Sequence, residues 1–562
     1  MVTNKVRFLL LIFLILCINI ISYGQAEYDP YNHPVYDFLE RMDALQIISD
    51  YNSLERPKTR NQISNYLKQV IENADLLENT DRGILEDYKS EFEYELTGKL
   101  VNSESLIGHQ EYNFLSQKEK YLYYLVKPEK GTIFINLIGN IDFVNDYLKN
   151  ESSNYSATFI KYGGQIRGTI LDKFGYYMRG TNGKVFGNKT AAENLNDIKF
   201  SYKYNTDPNT HSATDYVDNT EGYVTADFNL IRFKIGRDRQ QIGYGPLNYI
   251  LSDNSPYFDY LSFNLDFLPL TFSYFHGKLL GSITGRTDSI QGGIRTIADK
   301  YFGYHRLGIN FSRNLSLGLG EMIIYSNRSL EFSYLNPFNF YKSVEHAEED
   351  RDNSLLFIDM MNNSIPGLKL FGAVLIDDID FSKIGTGWYG NELLYNFTLY
   401  SASLYKIIPL DFYLQYIRCE PYVYTHRIYD NNYTNSVYGL ASPIQPNSDI
   451  YAAKFSYTPY YRLNLELELE YSRHGANVVN PDGSVLKNVG GNILVGHREN
   501  DPTTVKFLDG DREYFRSITF NAVYQPIKNY FVSGRIIYRK NSLQNNLLQD
   551  FITAYLFIDL RI

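Results

Sequence analysis

Beyond residue 22 this 562-residue chain has no apolar run approaching the roughly 20 residues that a membrane-spanning helix needs, so helical spans are excluded. Cysteine is nearly absent as well. Of the two cysteines, Cys17 lies in the amino-terminal apolar stretch, and its removal would leave Cys419 alone, so a mature chain could form no internal disulfide. Positive charge is in deficit, with 54 Lys and Arg against 64 Asp and Glu, which removes any global attraction to nucleic acid. Catalytic signatures are also missing: no histidine is followed by glutamate as a zinc helix requires, and there is neither a G-x-S-x-G elbow nor a phosphate-binding loop. Gly243-Tyr244-Gly245 lacks the third glycine of a dinucleotide fingerprint and reads as a tight turn or bulge. No catalytic residue, no metal and no cofactor is expected.

What is present points to the cell envelope. Lys5 and Arg7 precede an apolar stretch over residues 8–21, and Ser22-Tyr23-Gly24 leads to cleavage before Gln25, so residues 1–24 read as a signal peptide. Leu16 before Cys17 is too large for a lipoprotein site. Losing Lys5 and Arg7 takes the formal charge from −10 to −12. Aromatics make up 16% of the chain, with 52 Tyr, yet the mean hydropathy is −0.32. A membrane barrel with a polar lumen, an apolar belt and aromatic girdles reconciles the two numbers.

Periodicity divides the mature chain in two. Residues 25–128 read as a helical module. Val35, Phe38, Leu39, Met42 and Leu45 recur at helical spacing, Thr59 and Gln62 have the form of a capping box, and Ile84, Leu85, Tyr88 and Phe92 follow Thr80 on a third stripe. Residues 129–562 change to period 2. Leu463, Leu465, Leu467 and Leu469 alternate with Asn464, Glu466, Glu468 and Glu470, and a carboxylate face of that kind needs water beside it. Residues 552–562 alternate without a break and suit a closing transmembrane strand of about 9 to 11 residues. At about 24 residues per strand with its connections, the expectation is an all-β transmembrane barrel of about 18 antiparallel strands, within a range of about 14 to 20. The polar stretches 188–219 and 477–511 read as surface loops. An exported sandwich or propeller is the alternative, and it lacks the blade repeats.

Two acidic clusters remain: Glu345-His346-Ala347-Glu348-Glu349-Asp350 with Arg351-Asp352-Asn353, and Asp377-Asp378-Ile379-Asp380. Each could take a divalent cation or sugar hydroxyls, or be solvated loop and lumen charge. Arg237 and Arg239 could pair with uronic acids or form a lumenal ladder with Glu466 and Glu468.

In Gly236-Arg237-Asp238-Arg239, Gly243-Tyr244-Gly245-Pro246 and Leu251-Ser252-Asp253-Asn254 the chain resembles the Wzi family of outer-membrane capsule assembly proteins. Leu335-Asn336-Pro337-Phe338, Phe340-Tyr341, Glu345-His346, Arg351-Asp352-Asn353, Asp377-Asp378 and the leading Asn32-His33-Pro34-Val35-Tyr36 fit in order. The abundant Tyr, the added Glu348 and Glu349 and the terminal Ile562 depart from the pattern. The resemblance implies a barrel of about 18 strands in the outer membrane, a periplasmic helical module, and a non-enzymatic lectin for capsular or extracellular polysaccharide. Outer-membrane lipid and the barrel assembly machinery would be further partners. It makes Arg237, Arg239, Tyr244, Asn254, Tyr341, Glu345, His346, Asp352, Asn353, Asp377 and Asp378 the candidate polysaccharide-binding residues. A diffusion channel and a membrane-embedded hydrolase are the competing expectations.

Overall fold

The computed structural model describes residues 25–108, 112–149, 153–201, 216–288, 292–406, 408–543 and 547–562, so the signal-peptide expectation for residues 1–24 lies outside the described residues. Eighteen antiparallel strands close into a barrel, from Gly131–Leu148 to Leu548–Arg561, and these two pair with each other to shut it. The terminal residue completes the seam: Ile562 exchanges both backbone hydrogen bonds with Leu137, at 2.5 and 3.0 Å. No described helix is long and apolar enough to cross a membrane.

Alternation sets which side chains face out. Leu467, Leu469, Ile518, Phe520, Ile536, Leu556 and Leu560 form part of an exposed apolar belt, while Glu466 and Glu468 point inward. At one end the strands are joined by short turns such as 171–173, 228–230, 366–367, 461–462 and 528–529; at the other by long segments, 188–215, 239–257, 327–352, 420–447 and 477–510. The first strand starts and the last one ends at the short-turn end.

That end carries the helices. Helices α1 (Val35–Ala44), α2 (Arg60–Glu72) and α3 (Asn79–Glu91) bury the stripes read from the sequence in a cluster including Val35, Leu39, Met42, Ile63, Leu67, Val70, Leu85 and Phe92. The capping box is complete: Gln62 N donates to Thr59 Oγ1 at 3.2 Å and Thr59 N to Gln62 Oε1 at 3.1 Å. The helices are tied to the turns above them. Arg462 forks onto Asp87 at 3.0 and 2.8 Å, Lys528 reaches Glu91 at 3.2 Å, and Gly367 N donates to Ala44 O at 2.6 Å. Gly83 lets α3 approach the 461–462 turn, since a Cβ there would lie 2.9 Å from Tyr461.

The lumen has two unlike halves. Between the strands Phe258–Phe267 and Ser448–Tyr460, segments 239–257 and 420–447 fold back into the barrel and meet the helical module. Gln241–Ile242 pairs with Glu55–Arg56, and Ile242, Tyr249, Leu251, Tyr424, Tyr433 and Leu440 pack on Phe302, Met322, Phe357 and Leu375 of the wall. Polar groups in this half are paired: Arg306 forks onto Asp359 at 2.8 and 2.7 Å, and Lys369 bonds Glu40 at 2.6 Å and Asp43 at 2.7 Å. Burial pushes the Glu40 carboxyl up, but the Lys369 ammonium together with the Ser53 and Tyr244 hydroxyls holds it below its usual range. In the opposite half, Lys454 bonds Glu466 at 2.8 Å, Asn521 bonds Glu466 at 3.0 Å, and Glu468 and Arg535 keep contact with solvent.

Two loop expectations need correction. Residues 188–201 were expected on the surface but turn into the barrel mouth, where Ala191, Ala192, Leu195 and Ile198 pack on Val144, Phe159 and Ile537; Tyr216 already opens a strand. In 477–511, Asn488, Val489 and Ile493 are buried, and Ile493 joins the lumen cluster. In both, a few apolar residues inside a polar stretch anchor the segment inward.

Candidate functional site at the loop end of the barrel

The residues singled out from the sequence fall into three places. The strand Ile231–Asp238 faces Arg232, Lys234 and Asp238 inward, so Arg237 faces outward and pairs with exposed Asp259 at 3.3 Å. Neither Arg237 nor Arg239 joins a ladder with Glu466 and Glu468, whose cation is Lys454. Tyr244 is buried in the lumen and donates to Glu40 at 2.7 Å. Asp377 is buried there too and accepts the Tyr424 amide at 2.5 Å, while Asp378 is exposed and accepts the Ile379 amide at 2.9 Å. Asn353 also faces inward, donating to Asn431 O at 3.0 Å.

The second place is outside the barrel. Residues 327–352 form a strap over the outer surface of three strands, Leu270–Asp288, Gly292–Ser312 and Leu315–Ser326. Because Tyr304 and Met322 belong to the lumen cluster, their neighbours His305 and Glu321 face outward. The strap covers them: Tyr341 N donates to Glu321 Oε2 at 2.9 Å, and its ring stacks on His305 with centroids 4.4 Å apart. Glu345 meets Ser354 and Lys342, Asp352 takes both Arg328 nitrogens and the Tyr334 hydroxyl, and His346 is exposed. Among the described residues no group of three or more His, Cys, Asp or Glu is placed to hold a metal ion.

The third place brings Arg239 and Asn254 together. The strand Ile231–Asp238 stops early: Tyr216–Asp227 pairs with it only from Gly222 on, and Leu270–Asp288 extends ten residues beyond its last pairing with Phe258–Phe267, at Lys278. Above these short strands the wall has a notch, and the chain turns inward through it. Arg239 donates to Asp253 O and Ser255 O at 2.8 Å, and its guanidinium lies 4.3 Å from the Tyr257 ring centre and 5.4 Å from that of Phe200. Lys199 lies 5.0 Å from the Phe200 ring and 5.5 Å from that of Tyr438, and bonds Asn254 Oδ1 at 3.4 Å. Tyr257 donates to Glu221 at 3.1 Å. All these side chains are half-buried, and burial lowers the Lys199 ammonium from its usual value. Sequence reasoning missed Lys199, Phe200, Tyr257 and Tyr438. The adjacent Lys199-Phe200 pair, closing a segment with buried alanines, was the available signal.

No protein-family model matches the chain, and no curated protein does. Solved structures do. Wzi, an outer-membrane protein involved in group 1 capsule assembly in Escherichia coli and described as a carbohydrate-binding β-barrel, aligns over 96% of this chain and 99% of its own, at 11% identity and a TM-score of 0.55. Pseudomonas aeruginosa OpdK and OccK8 (OprE) align over 76% of this chain and 98% and 97% of theirs, at 11% and 10% identity and TM-scores of 0.42 and 0.43. The chain has the fold of an outer-membrane β-barrel, closed by 18 strands and carrying short helices before its first barrel strand.

Proposed function

We propose that this protein is a non-enzymatic, lectin-like barrel that binds surface polysaccharide at the notch and supports assembly and attachment of a capsular or extracellular polysaccharide. The carrying observation is the cluster of two half-buried cations, Arg239 and Lys199, among the rings of Phe200, Tyr257 and Tyr438. Sugars present apolar C–H faces to aromatic rings and hydroxyls or carboxylates to cations and amides, and Asn254 and Glu221 add acceptors beside them. The carbohydrate binding ascribed to Wzi supports the same reading. Barrels of this kind turn their short connections to the periplasm and their long ones outward, which supports a reading with the helices in the periplasm and the notch outside. Insertion would depend on the barrel assembly machinery. The side-chain hydrogen bonds of His33, His276, His305 and His474 run to Glu91, Tyr325, Glu321 and Glu513 and none of the four to a serine hydroxyl, so they supply no nucleophile–base pair for a hydrolase.

The test is polysaccharide binding by detergent-purified protein. Replacing Arg239 and Tyr257 together by Ala is expected to weaken binding by at least about tenfold, the equivalent of roughly 1.4 kcal/mol. Arg237→Ala, on the outer surface, is expected to leave it unchanged. Undiminished binding by the double variant moves the site elsewhere. In cells, loss of the gene should release polysaccharide into the medium without reducing its synthesis. A diffusion channel is the second reading, favoured by the solvated half of the lumen. It requires steady conductance in planar bilayers, whereas the packed half and the helices across the turn end predict little.

A further inference from the structure

The strap has a consequence for the membrane around it. Its segment Leu335-Asn336-Pro337-Phe338 descends toward the short-turn end, where Phe338 stacks on Phe272 at 5.2 Å and the Tyr274 hydroxyl donates to Leu335 O at 3.0 Å. Phe272 is two residues from the start of its strand, so the strap reaches the turn-side half of the wall. Between the strap and the turn 171–173 lies a groove of about 680 Å³. Its floor is Val224, Ala226 and Ile235, and its far wall is Ile170 and Phe174. These are outward-facing residues of the apolar belt, so the groove is continuous with the surface that lipid already covers.

We infer that this groove holds an acyl chain of a diacyl phospholipid as a bound, stoichiometric lipid. Four features separate it from the rest of the belt. A flat belt meets chains on one side only, whereas Leu335, Pro337 and Phe338 add a second wall that a chain can lie against. The strap is held in place by polar bonds that hydrocarbon cannot compete for, from Tyr341 N to Glu321 and from Arg328 to Asp352, so that wall is fixed and the groove stands open before a lipid arrives. Phe338, which lines the groove, is 71% exposed, which water would penalise and an acyl chain relieves. The turn 171–173 beside Phe174 carries Lys173 next to Asp172, which puts a cation, within a neutral turn, at the level of a phosphate headgroup. With the short turns on the periplasmic side, as in the orientation proposed above, this half of the wall meets the phospholipid leaflet and not the lipopolysaccharide one.

Native mass spectrometry and lipid extraction of the full-length protein, purified from outer membranes in mild detergent, test this. The wild type is expected to retain about one phospholipid per chain through the wash. Val224→Trp with Ala226→Trp fills the floor and is expected to lower retention at least about tenfold, while Leu319→Trp, on the same belt outside the groove, leaves it intact. Heat-modifiable migration on gels reports folding of each variant. If the filled variant does not fold, Phe338→Ala, which removes one wall, should still lower retention. A wild type carrying no lipid, or equal retention by folded groove variants, overturns the inference. Retention of lipid A in place of phospholipid overturns the ligand class. Polysaccharide binding by the same variants is expected to be unchanged, so failure here is distinct from failure of the notch.

Discussion

The two halves of the lumen obey different rules, although one wall encloses both. In the packed half a strand meets lipid outside and a folded segment inside, so both faces want apolar residues. Leu355-Leu356-Phe357-Ile358 accordingly loses its alternation, as strands buried on both sides do, and Ile323-Ile324-Tyr325 does so with the strap in place of lipid, since Ile323 and Tyr325 pack on Tyr334 and Tyr341. In the solvated half the strand Leu463–Ala476 keeps the strict pattern, with lipid on one side and water on the other. The charges differ in the same way. Lys369 is 1% exposed and closed in by Glu40, Asp43 and Ser53, whereas Lys454 and Glu468 retain 22% and 45% of their side-chain surface. Around Lys369 the lumen is built as a protein core, and beside the strand Leu463–Ala476 as an ordinary barrel interior.

The largest effect should come from breaking the core. Lys369→Ala leaves Glu40 and Asp43 buried without their cation, a loss on the order of 3 to 5 kcal/mol. Equilibrium unfolding in detergent checks it. A loss of less than about 1 kcal/mol would mean that water reaches this pair and that the halves are alike.

Much of this architecture is legible in the sequence. The amphipathic stripes and the Thr59–Gln62 box mark the helices because local spacing and local hydrogen bonds define them. The alternating runs give a barrel of about 18 strands, and residues 552–562 supply its closing strand. What is not legible is where loops go. Tyr244 meets Glu40 across 204 residues of chain, and no local pattern announces such a contact. The loss of alternation over residues 355–361 and 369–376 was a usable sign that something apolar fills the lumen there. The candidate site shows the same limit. Arg237 and Arg239 would share a face if their strand ran on, but it ends at Asp238, so one faces outward and the other turns in through the notch. The strap was invisible because Tyr341 and Glu345 carry no mark distinguishing the outside of a barrel from its mouth.

Acid should sharpen the contrast at intermediate cost. His426, in the inward segment 420–447, is pushed down by burial to about 4, with Arg427 lowering it further and the Ile428 amide, Asp352 and Asp350 opposing. Its folded form therefore binds fewer protons than its unfolded form between about 6.5 and about 4, and stability is lost as pH falls through that window. Hydrogen exchange at pH 7 and at about pH 4.5 is expected to show residues 420–447 loosening while residues 463–476 do not. His426→Gln should abolish the difference; equal loosening of both segments would assign acid sensitivity to the barrel as a whole.

The smallest effect belongs to the solvated half, and its smallness is the point. Glu468→Gln removes a carboxylate 3.8 Å from Lys454, but Lys454 keeps Glu466 at 2.8 Å and Glu468 already faces water. Neither the lost charge nor the remaining cation is stranded in a low dielectric, so the change should stay within about 0.5 kcal/mol of wild type and shrink further with added salt. Were this half as dry as the other, the same substitution would disturb a buried network and cost about 3 kcal/mol or more. The measured value therefore reports how much water stands beside the acidic strand, and an unfolding curve superimposable on wild type would establish that the two sides of one barrel enclose different solvents.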